Sequence, residues 1–194
     1  MFPHKYILPL GIASVLALAI GGALFYKAQM DKVPVSTAVH VHSDLLVYVA
    51  DERLRLTDEK YQSKLEHILH KDFHFHNGND DVIHRHAADL TLAEFFSSLG
   101  FILTNDCLTT DDDRQFCSGG EDELVLFVDG ERREDIVSYV PEEEDRILLY
   151  FGNPANQNLP GYESSVSDRA CIYSYNCPER GTPPPEECGL TCEL

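Results

Sequence analysis

The sequence Phe73-His-Phe-His-Asn-Gly-Asn-Asp-Asp-Val-Ile-His-Arg-His-Ala87 holds two His-x-His pairs, His74/His76 and His84/His86, on either side of a turn-rich centre. A third pair, His40/His42, lies upstream. Residues two apart on a β-strand point to the same face, so each pair sets two imidazoles side by side. Asn77-Gly78-Asn79-Asp80 is a strong turn signal, and the pairs flanking it read as the arms of a hairpin. Loop parity decides whether the four rings meet. A five-residue loop, Asn77 to Asp81, sets His76 opposite Val82 and His74 opposite His84, with all four imidazoles on one face. A four-residue loop sets His74 opposite Ile83 and sends the pairs to opposite faces. The five-residue loop is the expectation, with Phe73 and Ile83 buried on the other face and Arg85 exposed to solvent.

Upstream, His40 to Ala50 reads as a strand enriched in β-branched residues. Val41, Leu45, Val47 and Val49 share one face; His40, His42, Leu46 and Tyr48 share the other. Asp51-Glu52 reads as a turn into a second strand, Arg53 to Thr57, with Leu54 and Leu56 inward. Between the hairpins, Tyr61, Leu65 and Ile68 recur at helical spacing in Asp58 to Lys71, which suggests one or two helical turns.

Downstream, Leu90 to Gly100 is the clearest helix. Thr91 is a good N-cap, Glu94 completes a capping box, and Leu92, Phe95, Phe96 and Leu99 form the apolar face before the Gly100 stop. Cys107 to Cys117 is a polar loop with a cysteine at each end. A disulfide closing so short a loop contributes roughly 2–3 kcal/mol in the chain-entropy model. Leu124 to Val128 is a strand, Asp129-Gly130 a hairpin turn, and Ile136 to Val140 a short extended piece. Asp145 to Phe151 is continuously apolar after its first two residues, as in a central strand. Asn153 to Gly161 reads as loop, and Glu163 to Tyr173 as the place for a short helix. The segment holding Cys171, Cys177, Cys188 and Cys192 is too poor in apolar residues to form its own core. Four cysteines there allow three pairings.

The ends of the chain speak to compartment. Ile7 to Tyr26 is an uncharged run of 20 residues, enough to span the ~30 Å core of a bilayer at 1.5 Å per residue. Phe25-Tyr26-Lys27 follows instead of a small-x-small cleavage site, so an uncleaved signal anchor is expected, with the membrane engaged through residues 7–26. All six cysteines lie beyond that run, and an even cysteine count suits disulfides in an oxidising compartment. The expected layout is a cytoplasmic N-terminal stub and anchor over 1–32, an extracytoplasmic His-rich domain over 33–152, and a Cys/Pro-rich tail over 153–194. Beyond Lys32 there are 12 Lys/Arg against 32 Asp/Glu, a net charge of −20. So acidic a surface argues against nucleic acid as a partner and raises the local concentration of cations.

Strand, strand, capped helix, strand, short extended piece, final strand is similar to the order of a β-grasp (ubiquitin-like) fold, an α+β class with a mixed sheet and one main helix. Glu143-Glu-Asp-Arg-Ile-Leu-Leu-Tyr-Phe-Gly152 resembles its closing half, where an acidic turn leads into the last strand. Fold alone carries no function. The motifs Ile83-His-Arg-His-Ala87, Thr91-Leu-Ala-Glu-Phe-Phe-Ser-Ser-Leu99, Ala170-Cys-Ile-Tyr-Ser174 and Cys177-Pro-Glu-Arg-Gly181 resemble an uncharacterised prokaryotic family. Its members carry one N-terminal membrane segment and an extracytoplasmic domain. The resemblance implies architecture and little chemistry. Some members bear a protein-disulfide-isomerase-like label, which this chain does not support, since it has no Cys-x-x-Cys.

Metal binding is the sharpest chemical reading. Eight histidines fall within 47 residues, from His40 to His86, and six of them form the three His-x-His pairs. Imidazole suits zinc, copper and nickel, and an oxidising compartment fits zinc or copper(II). The candidate ligands are His40, His42, His74, His76, His84 and His86, with Asp44 or Asp72 as a carboxylate ligand or a partner to a ring N–H. The competing readings are a polar, solvent-facing side of the sheet, a pH-sensing surface, and a cell-surface interaction module with incidental histidines. His67 and His70 read as surface residues. The acidic runs Asp111 to Asp113 and Glu142 to Asp145 do not match an EF-hand loop, and no hydrolase or phosphate-binding motif is present.

Overall fold

A computed structural model describes residues 38–64 and 66–185. The run Ile7 to Tyr26, together with Cys188 and Cys192, lies outside the described residues. Among the described residues no helix is long and apolar enough to cross a membrane.

The protein is α+β. Its main sheet joins β1 (Ala38–Val49), β2 (Glu52–Arg53), β3 (Phe73–His74), β4 (Val82–Ala87), β8 (Glu123–Val128), β9 (Glu131–Arg133) and β10 (Arg146–Gly152). A small second sheet joins β5 (Ile102–Leu103), β6 (Cys107–Thr109) and β7 (Gln115–Cys117). Among the described residues there are three short α-helices: α1 (Leu92–Ser98), α2 (Leu159–Ser165) and α3 (Ala170–Tyr173).

The strand order is β3-β4-β1-β10-β8-β9, with β2 also paired to β1. The first and last strands run parallel at the centre, from Asp44 opposite Arg146 to Val49 opposite Phe151. The other pairings in this sheet are antiparallel. The mixed sheet therefore agrees with the sequence expectation. The apolar run of β10 has the physical cause inferred for it, because both of its faces are covered. Ile147 and Leu149 enter the main core, while Leu148 and Tyr150 enter a smaller cluster on the opposite face.

The main core lies between the sheet and α1. Leu45, Val47 and Val49 of β1 meet Leu92, Phe95 and Phe96 of α1, with Phe73 and Phe75 filling between. The Phe73 and Phe95 rings meet tilted, 4.9 Å apart from centre to centre. The helix begins at its capping box: Thr91 Oγ1 accepts from Glu94 N, and Glu94 Oε2 accepts from Thr91 N. It ends at Gly100, whose φ of +82° a residue with a Cβ resists. The opposite face of the sheet is covered by the C-terminal segment. Leu159 and Val166 pack on Leu46, Val125, Leu148 and Tyr150, and Ala170 and Tyr173 pack on Val82.

Several boundaries differ from the sequence reading. The first hairpin turns at Ala50-Asp51, both at positive φ, and its second strand is only Glu52–Arg53. Leu56 is nonetheless buried, as expected. Among its described residues, the segment Asp58 to Lys71 holds one 3₁₀ turn, Glu59–Tyr61; Tyr61 is buried but Ile68 is 48 % exposed, so these two do not share a buried helical face. The loop between Cys107 and Cys117 is a hairpin, β6 against β7, with the two cysteines directly paired and disulfide-bonded. Ile136 to Val140 is turn rather than strand, although Ile136 and Tyr139 reach the core. The region assigned one helix holds two, and the first starts at Leu159.

Arg85 is a correction. It was expected in solvent and is buried, because its side of β4 faces the core, as Ile83 does. The guanidinium donates to two carbonyls, Nε to Pro141 O at 3.0 Å and a terminal nitrogen to Ala87 O at 2.7 Å. These bonds give two of its buried donors protein acceptors.

Two substitutions should separate the contributions. Leu149→Ala, in the fully covered centre of β10, should cost about 2–5 kcal/mol by cavity formation. Thr91→Ala should cost about 1 kcal/mol by loss of the cap. Urea unfolding of both variants checks the ranking; equal losses would contradict it.

Candidate metal centre

The five-residue loop sets the register. His74 pairs with His84 across β3 and β4, and His84 pairs in turn with His42 across β4 and β1. Three imidazoles thus stand in one row over three strands. His40, His76 and His86 flank that row on the same face. His40 shares the His42 face by the two-residue strand period, and continuing the Val41–Arg85 and His42–His84 register points it at His86; the pairing with β4 becomes irregular between Ala38 and Val41.

The rings are in contact. Centroid distances are 4.5 Å for His40–His42, 4.6 Å for His40–His86, 4.7 Å for His42–His84 and 4.0 Å for His76–His84. His74 lies 5.3 Å from His86 and 5.7 Å from His76. His40 is half-buried and the other five are buried. A polar, solvent-facing sheet side therefore does not describe this patch. Tyr173 of α3 covers it, 5.7 Å from His42 and 5.1 Å from His84. The Tyr173 hydroxyl accepts from Asn79 Nδ2 at 3.1 Å, tying α3 to the hairpin loop.

Ring nitrogens of His40, His42 and His84 lie within 4.8 Å of one another. Three points so spaced share a centre within ~2.8 Å of each, against zinc–nitrogen bonds of ~2.0–2.1 Å. Shifts of less than about 1 Å would bring the three nitrogens to bonding distance. The set is all imidazole, which suits zinc, copper(II) or nickel.

Hydrogen bonds set the tautomers. Ser174 Oγ donates to Glu143 Oε1, which can only accept. The single hydroxyl proton is thereby committed, so Ser174 Oγ accepts from His42 Nδ1–H at 2.9 Å. Nε2 is then the basic nitrogen of His42. His74 Nδ1 likewise donates to His70 O at 2.9 Å. A ring N–H held by an outer partner is the usual support of a metal-binding histidine. The acidic turn also fixes the backbone of His42: His42 N donates to Glu143 Oε2 at 3.3 Å, and Glu144 N donates to His42 O at 2.7 Å.

Burial pushes the His84 imidazolium well below its ordinary range, and the neighbouring His76, His42, His74 and His86 reinforce this. His84 is therefore neutral at neutral pH, the form that binds metal. A cleft of about 750 Å³ lies over His40 and His42, walled by Glu143, Tyr173, Ser174 and Tyr175 and roofed by Pro183 to Pro185.

The carboxylates named from sequence sit elsewhere. Asp44 is fully buried on the histidine face, but its oxygens accept from Ser167 Oγ, Arg169 N (2.8 Å) and Ala170 N (3.0 Å). It anchors the start of α3. Asp72 pairs with Lys71 at 3.3 Å. His67 is exposed, and His70 lends its carbonyl to His74. Asp111 is engaged by Lys60 and Tyr61, and Asp112 by Arg114. Sequence reasoning missed the part played by Tyr173, Ser174 and Glu143; the hydrogen bonds to His42 span 101 residues from Glu143 and 132 from Ser174. Tyr173 and Ser174 stood in the Ala170-Cys-Ile-Tyr-Ser174 motif and Glu143 in the acidic run Glu142 to Asp145, but neither segment announced the histidines as its partners.

Comparison with protein-family models, with curated proteins and with solved structures finds no match for this chain.

The buried neutral His84 makes stability pH-dependent. The unfolded chain takes up a proton near ~6.5 and the folded chain does not, so falling pH favours unfolding. Metal-free protein should hold its full stability above pH ~6.5 and lose up to about 1.4 kcal/mol per pH unit below it for this one group. Urea midpoints between pH 7.5 and 5.5 test this, and His84→Phe should flatten the dependence.

Proposed function

We propose that this chain is a membrane-anchored extracytoplasmic protein that binds a transition metal ion, zinc or copper(II), through its clustered His-x-His pairs. The observation that carries the reading is the convergence of His40, His42 and His84 nitrogens within 4.8 Å inside a patch of six contacting imidazoles. Ser174 and Glu143 support His42 from outside, as a metal ligand needs. The acidic ectodomain favours cation capture.

The architecture is read as β-grasp-like. Its support is the sheet order, with parallel first and last strands central, antiparallel strands on both flanks and α1 across one face. Membrane anchoring rests on the uncharged run Ile7 to Tyr26, and an oxidising compartment on the disulfides Cys107–Cys117 and Cys171–Cys177. The motifs Ile83 to Ala87, Thr91 to Leu99 and Cys177 to Gly181 are what supports the resemblance to an uncharacterised anchored family. The rival reading, a surface interaction module, needs an exposed apolar patch. The large apolar side chains exposed among the described residues are Ile68, Ile102 and Tyr175, on three separate segments.

The full chain, purified in detergent and stripped with a chelator, should take up about one zinc or copper(II) per chain. Metal at a thousandfold excess over its Kd should stabilise it by about 4 kcal/mol. His42→Ala and His84→Ala should each abolish that gain. Elemental analysis with melting curves decides: no bound metal and no stabilisation by either ion would overturn the reading.

A further inference from the structure

The segment Cys171 to Cys177 is a seven-residue loop closed by a disulfide, and three of its side chains reach the histidine site. Tyr173 lies on His42 and His84, Ser174 Oγ accepts from His42 Nδ1, and Asn176 Nδ2 donates to Glu144 Oε1 at 2.5 Å. The upstream end of the loop is anchored by Asp44. The covalent tie at its downstream end is the disulfide itself. Tyr175, just after Ser174, stands at φ +58° and is 70 % exposed, so the closed loop holds a backbone state that its own packing does not enforce.

The sulfur environment is asymmetric. Cys171 is half-buried and Cys177 is buried. The Arg180 guanidinium, paired with Asp168, reaches Cys171 Sγ at 3.5 Å. A cation beside a sulfur stabilises its thiolate, and a stabilised thiolate leaves faster and favours the reduced state. Cys107–Cys117 differs. Its cysteines face each other across paired strands, so the ladder keeps the two sulfurs together whether or not they are bonded.

We propose that Cys171–Cys177 is a reducible bond through which a dithiol reductant controls the grip of the histidine site on its metal; this rests on the metal-binding reading above. The reductant's thiolate attacks Cys171 Sγ, the S–S bond breaks, and Cys177 leaves as a thiolate that takes a proton. The reductant's second thiol then attacks its own sulfur in the mixed disulfide and expels the Cys171 thiolate beside Arg180. Two electrons and two protons pass from the dithiol, which becomes a cyclic disulfide, to the two cysteines. The opened loop releases Ser174 from His42, and the imidazole loses the partner that fixes its tautomer.

The test uses the full chain in detergent. After equilibration in dithiol redox buffers and alkylation, mass spectrometry should find Cys171–Cys177 opened under milder conditions than Cys107–Cys117. Arg180→Gln should make Cys171–Cys177 harder to open. Zinc affinity, measured against a chromogenic chelator, should fall 10- to 100-fold in Cys171→Ser/Cys177→Ser and by a similar factor in Ser174→Ala, whose disulfide is intact. Combining the changes should add little, and Cys107→Ser/Cys117→Ser should keep full affinity. Unchanged affinity in both Cys171→Ser/Cys177→Ser and Ser174→Ala, or earlier opening of Cys107–Cys117, would overturn the proposal. If the oxidised wild type binds no zinc, the metal reading fails and takes the link with it. The order of disulfide opening and the Arg180→Gln effect still judge the redox half.

Discussion

The pairing of β1 with β10 governs the rest of the molecule. It commits Leu45, Val47 and Val49 to the core beside α1, and the pleat then sends His40, His42, Asp44, Leu46 and Tyr48 to the other face. That second face grades along one strand, from imidazole through a buried carboxylate to apolar packing. A one-residue slip would put two histidines and an aspartate against Phe73 and Phe95. The register is therefore held by hydrophobic burial, while the chemistry it creates lies on the side that burial did not select.

Burying His84 among other imidazoles is costly unless it stays neutral. A proton added to it would sit in a region of low dielectric, beside His76, His42, His74 and His86. The acidic groups that would welcome a charged histidine are kept at one remove. Glu143 reaches the His42 ring through the Ser174 hydroxyl, and Asp44 spends its oxygens on the start of α3. A neutral His84 among oriented imidazole nitrogens, inside a domain of strongly negative net charge, is chemistry that suits a divalent cation. The acidic surface raises the concentration of cations outside, and His40, His42 and His84 within are spaced as a group that could hold one.

Much of this was legible in the sequence. The His74–His84 register followed from loop parity, the α1 cap from Thr91 and Glu94, and the central place of β10 from its unbroken apolar run. What failed had a common cause, since short-range pattern cannot see long-range partners. Arg85 read as exposed because nothing near it in sequence announces the carbonyl of Pro141, 56 residues on, which accepts from its Nε. Ile68 matched a helical period that the chain does not use. The imidazoles read as a possible wet surface because the covering residue, Tyr173, comes from a segment that looked too poor in apolar residues to matter.

That segment explains itself once its supports are named. Residues 159 to 185 form no core of their own; they borrow one, through Leu159 and Val166 on β10 and through Tyr173 on the imidazoles. A segment held by so few apolar contacts is fixed by polar and covalent ties instead, and these are the Asp44 cap, the Arg146 bonds to the carbonyls of Val166 and Ser167, and the Cys171–Cys177 bond. Elements of low intrinsic stability are the ones that open first. Here such an element carries the groups that orient His42, so the site's most adjustable support is also its least independently stable part.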